Sequence, residues 1–159
     1  MKPIQTTHYG TLVIRPHSMQ FVIDELPLLL LCLAGMENFV NSGMLLGASV
    51  LCSLCLLYRF IYLRRTEYLI SSEQIIYRHG VFTRSCDYME LYRVVDFREH
   101  RSFLQQLSGL KTVSVYSGDR MTPKLDICGV EYRMDLVGHI RERVETNKLR
   151  KGIYEITNR

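Results

Sequence analysis

The chain has 159 residues, a net charge of +4, five cysteines and no tryptophan. That length holds one compact domain beside an apolar anchor and excludes two full domains. Odd, irregularly spaced cysteines exclude a disulfide framework, and basic residues scattered without runs exclude a nucleic-acid-binding arm. The mean hydropathy of +0.00 averages an apolar front part with a polar remainder.

Met1 to Ser18 forms a short lead, in which Tyr9-Gly-Thr-Leu-Val-Ile-Arg15 has strand character. It lacks the layout of a secretory signal, because the apolar segment starts late and Asp24 and Glu25 sit at its edge. Pro27-Leu-Leu-Leu-Leu-Cys-Leu-Ala-Gly-Met36 is dense in apolar residues but short. A first spanning helix over about 19–36 must recruit Met19 to Ile23; a short, tilted or re-entrant helix is the competing arrangement. Asp24 and Glu25 then form either an interface-solvated pair or a polar site at the membrane edge.

Glu37 to Gly43 reads as a tight turn. Residues 38 to 58 carry no charge, and at ~1.5 Å per residue they reach roughly 30 Å, the thickness of a hydrocarbon core. A second helix over about 43–63 follows, closed by Arg59, Arg64 and Arg65 as interface basic residues. The turn holds only Glu37, while Lys2 and Arg15 flank one end of the hairpin and these arginines the other. Positive-inside logic therefore puts both termini in the cytosol. Gly43, Gly47 and Ala48 make a small-residue face for helix packing, against another copy or against the chain's own first helix. Cys52 and Cys55 form C-x-x-C spacing, but inside a lipid-length helix they read as packing residues.

From residue 64 the rhythm is that of strands, in a domain over 64–148 with a tail over 149–159. After residue 63 there are 17 Lys/Arg against 13 Asp/Glu. Thr66–Ile70 and Gln74–His79 are separated by a Ser-Ser-Glu turn. Gly80 then introduces Val81–Tyr88, and Leu91–Phe97 is a fourth strand. Arg101–Gly109 reads as a helical turn capped by Ser102, with Phe103, Leu104 and Leu107 on its apolar side. Thr112–Tyr116 and a strand around Leu125 and Ile127 follow. Glu131 to about Lys148 is an amphipathic helix: Leu136, Val137, Ile140 and Val144 form its stripe, and Arg141, Glu142, Arg143 and Glu145 face away. The fold class is a membrane α-hairpin joined to an α+β domain, a small antiparallel sheet capped by this helix.

Taken in order, Tyr68-Leu-Ile-Ser71, Gln74-Ile-Ile-Tyr-Arg-His-Gly80 with Arg84, Leu91-Tyr-Arg-Val-Val-Asp96 and Ser102 to Val113 resemble a known family. It is that of bacterial membrane proteins with a pleckstrin-homology-like (PH-like) domain behind a two-helix anchor. The resemblance covers about residues 20 to 145. Glu90 stands where the family usually has proline, and Arg101 where glutamine is usual. The resemblance implies a small, strongly bent β-barrel capped by a helix and facing the cytosol. It does not imply phosphoinositide binding, since the fold serves binders of peptides, proteins and lipids alike.

No G-x-S-x-G, H-E-x-x-H, Walker or G-x-G-x-x-G pattern occurs, and the five histidines, His8, His17, His79, His100 and His139, are dispersed. His100 reads as a surface residue. No catalytic residue, metal, cofactor, nucleic-acid partner or small-molecule substrate is expected. Arg78 and Arg84 flank the Gly80 turn, where a hairpin brings them to one rim with Arg64 and Arg65 nearby. Such a group suits phosphate headgroups or an acidic partner. The favoured expectation is a non-enzymatic scaffold on the inner membrane of a bacterium, acting through membrane lipids and a protein partner or self-association. The alternatives are a sensor of anionic lipid headgroups and an accessory subunit of a membrane enzyme or transporter.

Overall fold

The computed structural model describes residues 4–6, 10–37 and 43–152. The turn expected over 37–43 and most of the 149–159 tail thus lie outside the described residues. Two short strands, β1 (Ile4–Thr6) and β2 (Leu12–Ile14), precede three helices: α1 (Ser18–Asp24), α2 (Leu26–Glu37) and α3 (Gly43–Arg65). The rest comprises β3 (Glu67–Ile70), β4 (Gln74–His79), β5 (Ser85–Glu90), a 3-10 turn (Leu91–Arg93), β6 (Val94–His100), α4 (Phe103–Leu107), β7 (Leu110–Ser117), β8 (Lys124–Glu131) and α5 (Leu136–Arg150).

The strands form two antiparallel sheets, ordered β1-β2-β3-β4-β5 and β6-β7-β8. Their inner faces share one core, in which Ile70, Ile75, Val113, Val115 and Ile127 are wholly buried. Tyr68 reaches across from β3, its hydroxyl donating to the Asp126 carbonyl of β8 at 3.0 Å. α5 covers the core with Leu136, Ile140 and Val144. Two antiparallel sheets with this helix agree with a PH-like fold.

The lead is part of the sheet. Leu12 pairs with Ile70 and Ile14 with Tyr68, and both Leu12 and Ile14 are buried. The three helices are therefore inserted between two neighbouring strands. Chain enters and leaves the insertion on the same side, where Arg15 clamps Glu67 at 2.9 and 2.5 Å.

The single helix expected over 19–36 is two helices, bent by 69° at Glu25. Pro27 explains the break: its ring has no N–H to donate and collides with the carbonyl four residues back, so a helix cannot run through it. α1 instead docks on the domain. The His17 N–H donates to the Gly129 carbonyl at 3.0 Å, and buried Gln20 accepts from Gln105 Nε2 at 3.0 Å. α2 has 12 residues, ~18 Å of rise, which is short of a hydrocarbon core. Leu46–Arg65 of α3 is long and apolar enough to cross a membrane, and only 11% of that stretch is buried.

α2 and α3 meet along Cys32, whose sulfur lies 3.2 Å from Ser53 Oγ, and along Gly35, where a Cβ would stand 3.5 Å from Ser49 Cβ. Among the described residues a Cβ at Gly43 or Gly47 meets nothing within 4 Å, and Ala48 is exposed. These small residues, expected to pack on another copy or on the first helix, lie off the α2 seam.

Several boundaries differ from expectation for local reasons. Val81 to Arg84 is a loop, and Leu91–Arg93 is a 3-10 turn with Leu91 wholly buried, which carries the chain from one sheet to the other. α4 buries Gln105 and exposes Phe103 and Leu107, the reverse of its expected apolar face. The Gln105 side chain accepts from the Ser102 N–H at 3.0 Å, closing a capping box, and donates to Thr112 Oγ1 at 2.9 Å. α5 starts at Leu136 because Glu131 still pairs with Leu110 and the Asp135 carboxylate accepts from the Gly138 N–H at 3.0 Å. Arg143 does not face away: its guanidinium donates to the carbonyls of Gly10, Ile70 and Ser71, tying α5 to the ends of β2 and β3.

Candidate functional site

The last turn of α3 meets the β4–β5 hairpin at a cleft of ≈ 320 Å³. Each wall follows from pairing. Arg78 lies opposite Glu67 on one side and Cys86 on the other. His79 lies opposite Ser85, so the hairpin closes over Gly80 to Arg84. Gly80 sits at φ +108, and a Cβ there would collide with the Thr83 carbonyl oxygen. Only glycine fits this corner.

Arg15, Arg64, Arg65, Arg78 and Arg84 line the cleft, with Glu67 as its one carboxylate and His79, Gly80, Ser85 and Cys86 completing the wall. Five guanidiniums against one carboxylate leave a surplus of four positive charges, and Glu67 is already held by Arg15. Arg64 donates weakly to Ser18 Oγ at 3.4 Å. Among the described residues the guanidiniums of Arg65, Arg78 and Arg84 make neither an ion pair nor a hydrogen bond. Guanidiniums gathered about a concave space repel one another and present planar donors matched to carboxylate or phosphate. Arg59 stands apart: it pairs with Glu25 at 2.6 Å beside the α1–α2 break. Asp24 accepts from Gln20 Nε2 at 2.7 Å.

A row of rings runs from the core past the cleft and up α3. Tyr68 stacks on Tyr77 at 5.0 Å, and Tyr77 on His79 at 4.5 Å. His79 meets Tyr62 edge-on at 6.3 Å, Tyr62 lies 6.4 Å from Tyr58, and Tyr58 stacks on Phe82 at 6.2 Å. Burial drives the phenols of Tyr68 and Tyr77 well above the usual tyrosine range, so both are neutral hydroxyls at any physiological pH. Burial likewise raises the Cys128 thiol, the reverse of what a reactive thiolate needs. Among the described residues no three histidine, cysteine or carboxylate side chains are grouped to hold a metal ion.

The structure brings Arg64, Arg65, Arg78 and Arg84 to one cleft and leaves Arg59 outside it. Sequence reasoning left out Arg15, Glu67, His79 and Phe82. The strand character of Leu12–Ile14 was the available signal for Arg15, since pairing that strand with β3 carries the next residue to Glu67.

Two antiparallel sheets over one core with a C-terminal helix agree with the PH-like class. The chain belongs to the Bacterial PH domain family, whose model matches residues 23–144. No curated protein and no solved structure matches it. Membership points to a lipid or protein interaction module, and PH domains are generally non-enzymatic.

Proposed function

We propose that the protein is a membrane-tethered module of the bacterial cytoplasmic membrane that recognises phosphate-bearing lipid headgroups through its arginine cleft. α3 is its main anchor, α2 lies against α3 within the bilayer, and both termini face the cytosol. One observation carries the reading: five arginines with a single carboxylate surround a cleft at the end of a helix long and apolar enough to cross a membrane. That position sets the guanidiniums at headgroup depth, where each basic residue is worth ~1 kcal/mol against an anionic leaflet.

The test uses the full chain, because β2 and α1 belong to the domain and a fragment starting at residue 64 lacks them. In nanodiscs of phosphatidylcholine, added phosphatidylglycerol should slow hydrogen exchange over His79–Cys86, and salt should reverse the effect. Arg78→Gln with Arg84→Gln should abolish most of this response. Inorganic phosphate alone should reproduce little of it; an equal effect would make the ligand a soluble anion. Exchange indifferent to phosphatidylglycerol rejects the headgroup reading.

A protein-scaffold role has its own support in α4, where Phe103 and Leu107 lie one turn apart and are 78% and 80% exposed. Exposed apolar pairs of this kind suit a protein partner. Crosslinking in native membranes that captures the wild type in a complex, but not Phe103→Ser with Leu107→Ser, is the expected result. Only monomers in both would remove the scaffold role.

A further inference from the structure

The β4–β5 loop ends in a side chain with no role in the domain's core. Phe82 is 91% exposed, yet its ring lies nearly parallel to Tyr58, 13° apart with centroids at 6.2 Å. Tyr58 is seven residues before Arg65, so the loop reaches back ~10 Å along α3 from its basic end. Tyr58 also closes the stretch of α3 that carries no charge. The loop is held in this direction by its corner: Gly80 at φ +108 admits no Cβ, because the Thr83 carbonyl occupies the space. The neighbouring outward faces of α3, at Leu54 and Leu57, are apolar and exposed too.

We propose that the β4–β5 loop inserts into the bilayer beside α3, with Phe82 among the lipid chains at the level of Tyr58. The occupant of this surface is lipid, since the loop continues the apolar surface of α3. Basic residues of the cleft, Arg78 and Arg84, lie on either side of the inserted tip. Phe82 below and the arginines above reproduce the order of a lipid, acyl chain below and phosphate above. Insertion therefore fixes the cleft at the phosphate layer and favours headgroups of the surrounding leaflet over free anions. The inference rests on the reading that α3 crosses the bilayer.

The absence of tryptophan gives a direct test. Phe82→Trp and Tyr58→Trp each place the only indole of the full chain, in vesicles containing lipids brominated at shallow or deep acyl positions. Insertion predicts that both indoles emit at short wavelength and lose fluorescence to bromine, the shallow positions quenching best, while aqueous iodide quenches neither. If the helix indole of Tyr58→Trp responds to bromine and the loop indole of Phe82→Trp responds to iodide instead, the loop stays in water and the proposal fails with the span intact. If neither responds to bromine, the span fails and the proposal with it. Short-wavelength emission from the loop indole that bromine does not quench puts the ring against protein, which also overturns lipid insertion.

Discussion

Replacing Gln105 by leucine should release α1 from the domain, and the expected size follows from its bonds. Gln105 is buried and binds Gln20 Oε1 at 3.0 Å, Thr112 Oγ1 at 2.9 Å and the Ser102 N–H at 3.0 Å. Only the first of these spans α1 and α4. A net hydrogen bond is worth ~1 kcal/mol, and stranding a buried polar partner costs ~1–3 kcal/mol more. Gln20 keeps one other bond, from its Nε2 to Asp24, so the lower end applies and the link is worth ~2 kcal/mol. Opening of α1 should then be ~30-fold more frequent, at 1.4 kcal/mol per factor of ten. Hydrogen exchange of the full chain in nanodiscs, read over residues 19–24, measures this opening directly. Gln20→Leu should give a similar acceleration, and the double variant should not exceed the larger single effect by much, since the two share one bond. Amides of α1 that keep wild-type protection in both variants would refute the reasoning. That outcome means α1 is held by something other than the Gln20–Gln105 bond, the His17–Gly129 bond to β8 among them.

Three further outcomes are expected. Gly80→Ala should destabilise the β4–β5 hairpin by ~2–3 kcal/mol, from a strained φ and a collision with backbone at Thr83 that no side-chain rotation relieves; faster exchange over Val81–Ser85 checks it, and wild-type exchange there would show the corner to be unstrained. Arg59→Met should cost ~1–2 kcal/mol, because Glu25 is 8% exposed and loses its partner, discounted since Arg59 itself is largely solvated; Glu25→Gln in the same chain should restore the melting temperature, and a double variant no better than the single one contradicts the pairing. Stability should fall as pH rises above about 10, the ordinary tyrosine value. The folded state holds the protons of Tyr68 and Tyr77 more tightly than the unfolded chain does, so their contribution is whole below that pH and is lost above it. Absorbance of phenolate should then show a late group that titrates only with unfolding; all tyrosines ionising together in a folded chain would count against it.

Most of the domain was legible because alternation and turn chemistry are local. The turns at Ser71–Glu73 and Gly80, the cap at Ser102 and the stripe Leu136, Ile140, Val144 each declare themselves within a few residues. What was not legible depends on partners far away in sequence. Gln105 is buried only because Gln20 and Thr112 meet it, while Phe103 and Leu107 look like core residues until the direction of α4 is known. The first apolar segment left a spanning helix and a short or re-entrant one both open for a related reason: apolar content extends across Glu25, while the backbone consequence of Pro27 breaks the helix there. Arg78 and Arg84 were grouped by a hairpin that two strands and a glycine foretell. Arg15 was missed because its place depends on the β2–β3 ladder, across an insertion of three helices.

That insertion also explains why the cleft sits where it does. β2 and β3 are adjacent strands, ~4.8 Å apart, and the helices leave and return between them. The connection from α3 to β3 is a single residue, Thr66. Its N–H bonds to the Tyr62 and Leu63 carbonyls at 3.1 and 3.2 Å, and its hydroxyl to the Tyr62 carbonyl at 3.0 Å. No flexible linker separates helix from sheet, so a tilt of α3 must carry Arg64 and Arg65 with it, while Arg78 and Arg84 follow the hairpin. Cleft width is thereby geared to the angle between α3 and the first sheet. An anion bridging the two pairs of arginines would hold that angle, and by reciprocity a partner whose grip on α3 tightens the anion by some factor would itself be tightened by the anion by that same factor.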